Sequence, residues 1–295
     1  MFSFISTSQV ALVIGGTNGI GRGLAEWLAR QGASVVVAGR SRERGEEVVQ
    51  AMTSQSPEDK SAHFSFAPID AMKIADTNRF CIEFAAAHRR LDYLVLTPGI
   101  ASTQGRTETS EGLEQKLAIH FFGRVAAIQG LLPLLEQTAD AGGDVRVMSV
   151  LSAGVHAPYL GYKEDFELKE SFSLGTCAKA GSLYTDVALD SLSKEHPKIT
   201  FLHAAPGGVA TAWGTELNPF LRGMVRFVQL FFKSPEACAN AIGPGLLAEG
   251  FKGGFQMVDP SGGHVKESSE HDKAREIVWE KTKGVLARVA AANPK

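Results

Sequence analysis

The chain has 295 residues, of which 44% are hydrophobic and 21% are charged, and its formal net charge is −2. This composition is typical of a globular protein, and the small net charge gives no reason to expect a nucleic-acid partner. We predict no integral membrane segment, because no apolar run reaches membrane-spanning length. The three cysteines lack the spacing of a metal site or a redox pair, so we expect no metal and a cytoplasmic location.

Strand and helix patterns alternate along the chain. Short apolar runs predict seven strands, over residues 10–14, 34–39, 63–67, 92–97, 144–151, 199–205 and 255–259. Helical spacing predicts helices that begin at residue 20 and at Ser234, and others over residues 42–54, 73–89, 111–136, 176–195 and 268–291. Repeated strand–helix units form a parallel sheet with helices on both faces. We therefore predict a doubly wound α/β fold of about seven strands in a single domain, residues 1–295.

The turn after the first strand carries the most specific motif. Gly15, Gly19 and Gly21 lie between a buried strand and an amphipathic helix. Glycines permit a tight turn and let backbone N–H groups approach a pyrophosphate, toward which the helix presents its positive end. We therefore predict a Rossmann-type dinucleotide site. Its cradle residues are Gly15, Thr17, Asn18, Gly19 and Ile20.

The residues after the second strand favour NADP(H) over NAD. In dinucleotide folds this strand ends beside the adenosine ribose, where a carboxylate would bind the 2′-hydroxyl of NAD. This chain has Arg40 and Arg42 there instead, and a guanidinium suits a 2′-phosphate. The alternative is a solvated basic patch at a helix start. Asp70, after the third strand, is either a ligand of the adenine amino group or a helix N-cap.

Four motifs follow one another in a characteristic order: the glycine turn, residues 147–154 with Ser152, Lys179 on a long helix, and residues 206–211. On these motifs the chain resembles the short-chain dehydrogenase/reductase family over about residues 8–260. Its long insert between Ser152 and Lys179 is similar to that of the retinol-dehydrogenase-like branch.

The resemblance implies roles for individual residues. Ser152 would bind the substrate carbonyl and stabilise developing negative charge. Lys179 would hold the nicotinamide ribose and lower the pKa of a neighbouring tyrosine. A loop would support the nicotinamide carboxamide through Pro206, Gly207, Val209 and Thr211. In this family the long central helix and the lysine helix form a dimer interface, so we also expect a homo-oligomer.

The catalytic positions depart from the family pattern. The family tyrosine, four residues before the lysine, is Gly175 here. The asparagine of the central helix aligns with His120, and the motif after the fourth strand becomes Leu-Thr-Pro-Gly at 96–99. The proton would therefore come from a substitute side chain or from water, and we name Tyr162 and His120 as the main candidates among the side chains.

Other residues of the insert are weaker candidates for the proton donor. They are His156, Tyr159 and Asp165. Tyr159 and Lys163 reproduce the family spacing, but they lie among Pro158 and Gly161, so we interpret the spacing as coincidental. We interpret Tyr184 as a packing residue, because it points away from the face that carries Lys179.

Residues 211–233 are rich in aromatic and aliphatic side chains. In this family the segment forms a lid over the substrate, so its character predicts a hydrophobic small-molecule substrate. A membrane-surface helix and an oligomer contact are the alternatives.

Two functions follow from these observations. The first is an NADPH-dependent reductase that transfers hydride to a carbonyl, imine or enone through a non-standard proton donor. The second is an NADP(H)-binding protein without redox turnover, such as a cofactor sensor or the scaffold of a cyclase or isomerase. The intact Ser152 and Lys179 favour the first, whereas Gly175 and His120 favour the second.

Overall fold

The computed structural model describes residues 9–55, 62–210 and 232–292. Within this part of the chain a single eight-stranded sheet has the order β3-β2-β1-β4-β5-β6-β7-β8. The strands are β1 Val10–Ile14, β2 Ser34–Gly39, β3 Phe64–Pro68, β4 Tyr93–Leu96, β5 Val145–Val150, β6 Ile199–Ala204, β7 Phe255–Val258 and β8 His264–Val265. All neighbouring pairs are parallel except β7 and β8, which are antiparallel.

Helices connect the parallel strands and cover both faces of the sheet. They are α1 Gly19–Arg30, α2 Arg42–Gln55, α3 Ile74–Ala87, α4 Gln115–Asp140, α5 Leu174–Glu195, α6 Pro235–Leu247 and α7 Ser269–Ala292. Helix α4 contains a π turn at Ala118–Phe122, and 3-10 turns occur at Leu160–Tyr162 and Glu249–Phe251. Apolar clusters lie on each face, one with α3, α4, α5 and α7 and the other with α1, α2 and α6.

The structure confirms the doubly wound α/β fold and adds one strand. The sequence analysis missed β8, whose two residues pair with Met257 and Val258. Strands this short carry no readable alternation. The central helix begins at Gln115 rather than at Glu111, because the Glu114 side chain accepts the N–H groups of Lys116 and Leu117 and so caps the helix.

Helix α4 is long and apolar enough by composition to cross a membrane, with a mean hydropathy of 1.4 over its most apolar window. In the fold, 72% of that window is buried inside the protein. It therefore has the character of a core helix packed between the sheet and α3. Thr211 and most of the predicted lid, residues 211–231, lie outside the described residues.

Candidate active site

The turn between β1 and α1 has a geometry that only glycine can adopt. Gly15 has a φ of +85°, and a Cβ added there would lie 2.7 Å from the Pro98 nitrogen. A Cβ on Gly21 would lie 2.3 Å from the Gly15 carbonyl oxygen. Asn18 is the N-cap of α1, and its side chain accepts the Gly19 N–H at 2.8 Å. The turn therefore has no side chains at the glycine positions beside the helix N-terminus. Backbone N–H groups at such a site can bind a pyrophosphate.

The end of β2 lies against this turn and carries a free arginine. A Cβ on Gly39 would lie 2.8 Å from a Thr17 methyl carbon, which shows how closely the two segments approach. Arg40 is exposed and has no ion-pair partner among the residues that the structure describes. Arg42 instead lies over the Phe66 ring and pairs with Glu46 at 3.5 Å. Arg40 is therefore the guanidinium best placed for a phosphate at the ribose.

Asp70 belongs to the turn that leads into α3. One carboxylate oxygen accepts the Met72 N–H at 3.3 Å, and the other lies 3.8 Å from the Lys73 amine. Because α3 begins at Ile74, Asp70 is not its N-cap residue. The adenine contact stays a prediction.

Ser152 follows the end of β5, and both of its backbone groups are held. Its N–H donates to Nε2 of His203 at 3.1 Å, and its carbonyl accepts the Ser182 hydroxyl at 2.9 Å. The Ser152 hydroxyl has no hydrogen-bond partner within the described ranges. The fold thus fixes the backbone of this residue, and the role of its hydroxyl in substrate binding stays a prediction.

Helix α5 supplies the other side of the site from a single face. Lys179, Ser182 and Asp186 lie three and four residues apart, a spacing that aligns side chains along a helix. Since Ser182 contacts Ser152, Lys179 lies one helical turn from that contact. Lys179 is exposed and has no ion-pair partner in the described part of the chain. Ser152 and Lys179 are thus linked through Ser182, and their roles toward substrate and cofactor stay predictions.

Gly175 is the second residue of α5, one turn before Lys179. The N-cap Ser173 accepts the Thr176 N–H at 3.0 Å, while the Ser173 N–H donates to the Thr176 hydroxyl at 2.7 Å. A Cβ on Gly175 would have one neighbour within 4 Å, the Ser173 hydroxyl oxygen at 3.8 Å. No other described residue fills the space where a tyrosine side chain would begin.

All four tyrosines of the sequence lie in described segments, and each hydroxyl is bonded elsewhere. Tyr93 accepts a bond from Gln9, and Tyr184 donates to the Phe166 carbonyl at 3.2 Å. Tyr159 bonds the Asp165 carbonyl and the Ser171 hydroxyl. The buried Tyr162 donates to Glu270 at 3.2 Å, and its pKa is raised by burial and by that carboxylate. The role of Tyr162 as proton donor stays a prediction, with its hydroxyl facing α7.

His120 lies in the π turn of α4, a kind of distortion that is frequent at functional sites. Its Nε2 accepts the Ile100 N–H at 3.1 Å. Burial, together with the charges of Arg124 and Lys116, lowers the pKa of His120 to about 3. The imidazole is therefore neutral near pH 7 and holds the loop after β4. A direct role for it in catalysis stays a prediction.

Arg124, one turn further along α4, joins the ends of β4 and β5. It is 3% exposed, and its guanidinium donates to the Pro98 carbonyl at 2.6 Å and to the Val150 carbonyl at 2.8 Å. It also donates to the Ser149 hydroxyl at 2.8 Å. Burial lowers the pKa of Arg124 to about 9, so the group is still charged near pH 7. The sequence analysis did not find this residue.

In the insert between Ser152 and α5, two candidate proton donors have pKa values below their ordinary values, so both are deprotonated near pH 7. His156 is exposed, and burial of its ring and the charge of Lys179 hold its pKa below the ordinary value. Burial of Asp165 opposes its ionisation, but the N–H groups of Ser171 and Lys169 keep the pKa of this carboxyl low. Roles for His156, Tyr159 and Asp165 as proton donors stay predictions.

The loop after β6 contains the remaining predicted cofactor residues. Gly207 has a φ of +72°, and Val209 is buried and bridges to Lys233 in parallel orientation. The Pro206 carbonyl accepts the Cys238 thiol at 3.7 Å. These contacts tie the loop to the start of α6, and a role in nicotinamide binding stays a prediction.

Comparison with known proteins places the chain in a family. The family model described as short chain dehydrogenase matches residues 9–163. The chain belongs to the short-chain dehydrogenase/reductase family, which confirms the resemblance seen in its motifs. The match ends before Gly175 and Lys179, so it covers the cofactor half and Ser152 and does not test the missing tyrosine.

Curated relatives are oxidoreductases. Polyprenol dehydrogenase of Mus musculus is 34% identical over 235 residues, covering 77% of this chain and 68% of its own length. Oxidoreductase AN1596 of Emericella nidulans is 32% identical over 203 residues, and the match spans 68% of this chain but only 58% of that relative. A solved alcohol dehydrogenase from Thermococcus sibiricus, complexed with 5-hydroxy-NADP, superposes with a TM-score of 0.61. It covers 88% of this chain and 99% of its own at 18% identity, which establishes the fold alone.

Sequence reasoning missed three polar residues around Ser152. Ser182 and Asp186 lie on α5, and His203 lies in β6. One signal was present, since His203 is a polar residue inside an apolar strand. Its partners become visible only when β6 and α5 are in place.

Proposed function

We propose that this chain is an NADPH-dependent reductase that transfers hydride to a carbonyl, imine or enone of a hydrophobic small molecule. The observation that carries the proposal is the hydrogen bond from Ser182 to the Ser152 carbonyl, because Ser182 lies one helical turn from the exposed Lys179 and the Ser152 hydroxyl has no partner among the described residues. The glycine-only turn and the free Arg40 support the choice of cofactor. NADPH, when bound, supplies the hydride and its electron pair.

The residues of the chain bind and orient the substrate and the cofactor. The Ser152 hydroxyl donates to the substrate oxygen, where negative charge develops. The Lys179 amine holds the ribose hydroxyls, and Arg40 binds the 2′-phosphate. Because every tyrosine hydroxyl is bonded elsewhere, we assign the proton on oxygen to water that enters at Gly175, and bulk solvent reprotonates the hydroxide that is left. An iminium substrate would need no such proton.

A hydrophobic substrate is supported by exposed apolar side chains beside the site. Val155 is 58% exposed three residues after Ser152, and Leu174 is 43% exposed beside Gly175. Val155 lies in the insert, and Leu174 is the first residue of α5. The apolar composition of residues 211–233 also favours a hydrophobic substrate. We keep the cytoplasmic location as a prediction.

A specific observation also favours the second function, an NADP(H)-binding protein without redox turnover. Gly175 leaves the acid position without a side chain, and among the described residues no tyrosine replaces it. In such a protein the same pocket would template a cyclisation or isomerisation, or would report cofactor levels.

Turnover decides between the two functions. We would add NADPH to the purified chain together with panels of hydrophobic ketones, aldehydes, enones and imines, and follow NADPH fluorescence. We expect decay with at least one panel, and an approximately hundredfold slower rate in Ser152→Ala because the donor to the developing charge is lost. Calorimetry would show NADPH binding in both proteins. Binding without decay in any panel would remove the reductase and leave the second function.

A homo-oligomer also stays a proposal, with a restriction on its surface. Every residue of α5 from Ala180 to Ser193 is buried within the single chain. Helix α7 packs on α5, with Trp279 donating to Glu195 at 2.7 Å and Arg275 paired with Asp190. A second copy would therefore have to bind elsewhere than on α5.

A further inference from the structure

We propose that His203, oriented by Asp186, is a positioning residue that holds Ser152 in the conformation needed to bind the substrate oxygen. The inference rests on the proposed reductase function and names residues outside the family motifs. It follows from the buried contacts that link β6, α5 and the end of β5.

The hydrogen bonds of His203 fix the position of its proton. Nδ1 lies 2.5 Å from one carboxylate oxygen of Asp186, which can only accept, so Nδ1 carries the hydrogen. Nε2 is then the lone-pair acceptor for the Ser152 N–H at 3.1 Å. A hydrogen on Nε2 would place two donors face to face. Asp186 thus selects the single tautomer that can hold Ser152.

Asp186 is held in turn by a second histidine. Its other carboxylate oxygen lies 3.3 Å from Nε2 of His271, at the start of α7. Asp186 is 2% exposed and His203 is fully buried. Burial opposes ionisation of Asp186, yet His203 and His271 hold the pKa of this carboxyl below its ordinary value. Both neighbours donate to it, so an asparagine could satisfy only one of them.

The arrangement is costly for a purely structural purpose. A buried histidine and carboxylate lose hydration that an apolar pair at the same positions would not need. The last backbone bond between β5 and β6 joins the Leu151 N–H to the Ala204 carbonyl, and Ser152 is the next residue. The hydrogen bond from the Ser152 N–H to His203 therefore continues the backbone pairing of β5 and β6 by one residue. That residue is the one proposed to bind substrate.

The position of Ser152 must be held closely because residue 175 is glycine. With no tyrosine beside it, Ser152 is the single side chain assigned to the substrate oxygen. A displacement of about 1 Å in such a group can cost on the order of a hundredfold in rate. His203 on the N–H and Ser182 on the carbonyl prevent that displacement.

The rate experiment compares His203→Phe, His203→Gln and Asp186→Asn, with His196→Phe as the control. His196 is a histidine of the α5 C-terminus that pairs with Glu136 far from the site. We would measure kcat, KM and the NADPH dissociation constant, using the most active substrate of the panel. We expect kcat to fall roughly ten- to hundredfold in His203→Phe and Asp186→Asn, with NADPH affinity unchanged within about twofold. His203→Gln keeps an acceptor and should recover most of the rate.

A second measurement needs no substrate. With ¹⁵N-labelled histidine, we expect the His203 resonances of the folded wild type to show a protonated Nδ1 and a bare Nε2. The Ser152 amide proton should move upfield in His203→Phe as its hydrogen bond is lost. Asp186→Asn should change the tautomer, and His196→Phe should change neither signal.

The two measurements separate the two proposals. A wild type that reduces no compound but shows the expected tautomer and amide shift contradicts the reductase and keeps His203 as the residue that positions Ser152. A protonated Nε2, or a folded His203→Phe that keeps kcat within about twofold, would overturn the role of His203. If His203→Phe does not fold, His203→Gln and Asp186→Asn carry the same test.

Discussion

The two halves of the site are built in different ways. The cofactor half, from β1 to the end of β2, uses neighbouring residues and bare backbone, with glycines at Gly15, Gly21 and Gly39 where any side chain would collide. The catalytic half joins β5, α5, β6 and α7 through buried polar groups that are distant in the chain. The first half keeps the glycine spacing of the family, whereas the second has glycine at position 175, and His203 and Asp186 are buried beside the Ser152 backbone. The comparison teaches that cofactor binding and proton delivery can change independently on one scaffold.

Restoring the missing hydroxyl gives the largest expected effect. In Gly175→Tyr the new side chain enters open space one turn before Lys179, and the capping bonds of Ser173 and Thr176 are left intact. A placed general acid contributes about a hundredfold or more, so we expect kcat for ketones to rise by roughly tenfold to a hundredfold. The rate for a preformed iminium should stay within about twofold. Steady-state assays with NADPH measure both.

Gly175→Phe is the matched control for this prediction, because it fills the same space without a hydroxyl. A folded Gly175→Tyr no faster than Gly175→Phe on ketones would show that the catalytic half lost more than its acid. The site would then differ from the family pattern in more than the missing tyrosine.

The cofactor half makes a prediction of similar size that is selective for one coenzyme. Arg40→Ala removes the one free guanidinium that the described residues place at the end of β2. A charge-assisted bond is worth about 1.5–3 kcal/mol, so we expect NADPH affinity to fall roughly ten- to hundredfold. NADH affinity should change by less than about twofold. Calorimetry with both coenzymes measures the difference.

Arg44→Ala is the control for Arg40→Ala, since Arg44 is another exposed arginine in the first turns of α2 and has no ion-pair partner among the described residues. Equal losses of NADPH and NADH affinity in Arg40→Ala would contradict the phosphate assignment. The glycine turn would then bind the dinucleotide without distinguishing a 2′-phosphate from a 2′-hydroxyl.

The cofactor half is built from residues close in the chain and the catalytic half from distant ones. This difference determined what could be predicted from the sequence. The strand, the turn and the capped helix of the cofactor half are contiguous, so periodicity and glycine spacing revealed them. Ser152 and Lys179 came from the family resemblance, whereas the hydrogen bond from Ser182 to Ser152 is visible only in the fold. His203 and Asp186 are 17 positions apart and meet only when β6 and α5 pack. Spacing alone carries no sign of such a contact.

Arg124 shows a related limit. From the sequence it is one more residue of a long amphipathic helix, and a charged residue is expected at the surface. Its burial depends on three oxygens supplied by the ends of β4 and β5. The departures from the family pattern could be read at Gly175 and His120, but what surrounds them depends on these distant partners.

The smallest expected effect concerns the contact between Asp186 and His271 of α7. We expect this contact to make the stability of the protein depend on pH. His271 is buried, and although burial opposes its charge, Asp186, Glu267 and Asp190 raise its pKa above the ordinary value. A histidine with a raised pKa in the folded state stabilises the protein fully below its ordinary pKa, near 6.5, and this stabilisation is lost as pH rises through the folded-state value. Asp186, with a lowered pKa, loses its contribution only as pH falls through its own folded-state value.

We therefore expect His271→Gln to be less stable than wild type by about 1–2 kcal/mol at pH 6, with the difference shrinking as pH rises toward 9. Chemical denaturation across this pH range measures it, with the exposed His264→Gln as a control that should show no such trend. A difference that grows with pH would mean that His271 is neutral against Asp186. Asp186 would then hold His203 without help from a charged neighbour, and the C-terminal helix would be uncoupled from the support of Ser152.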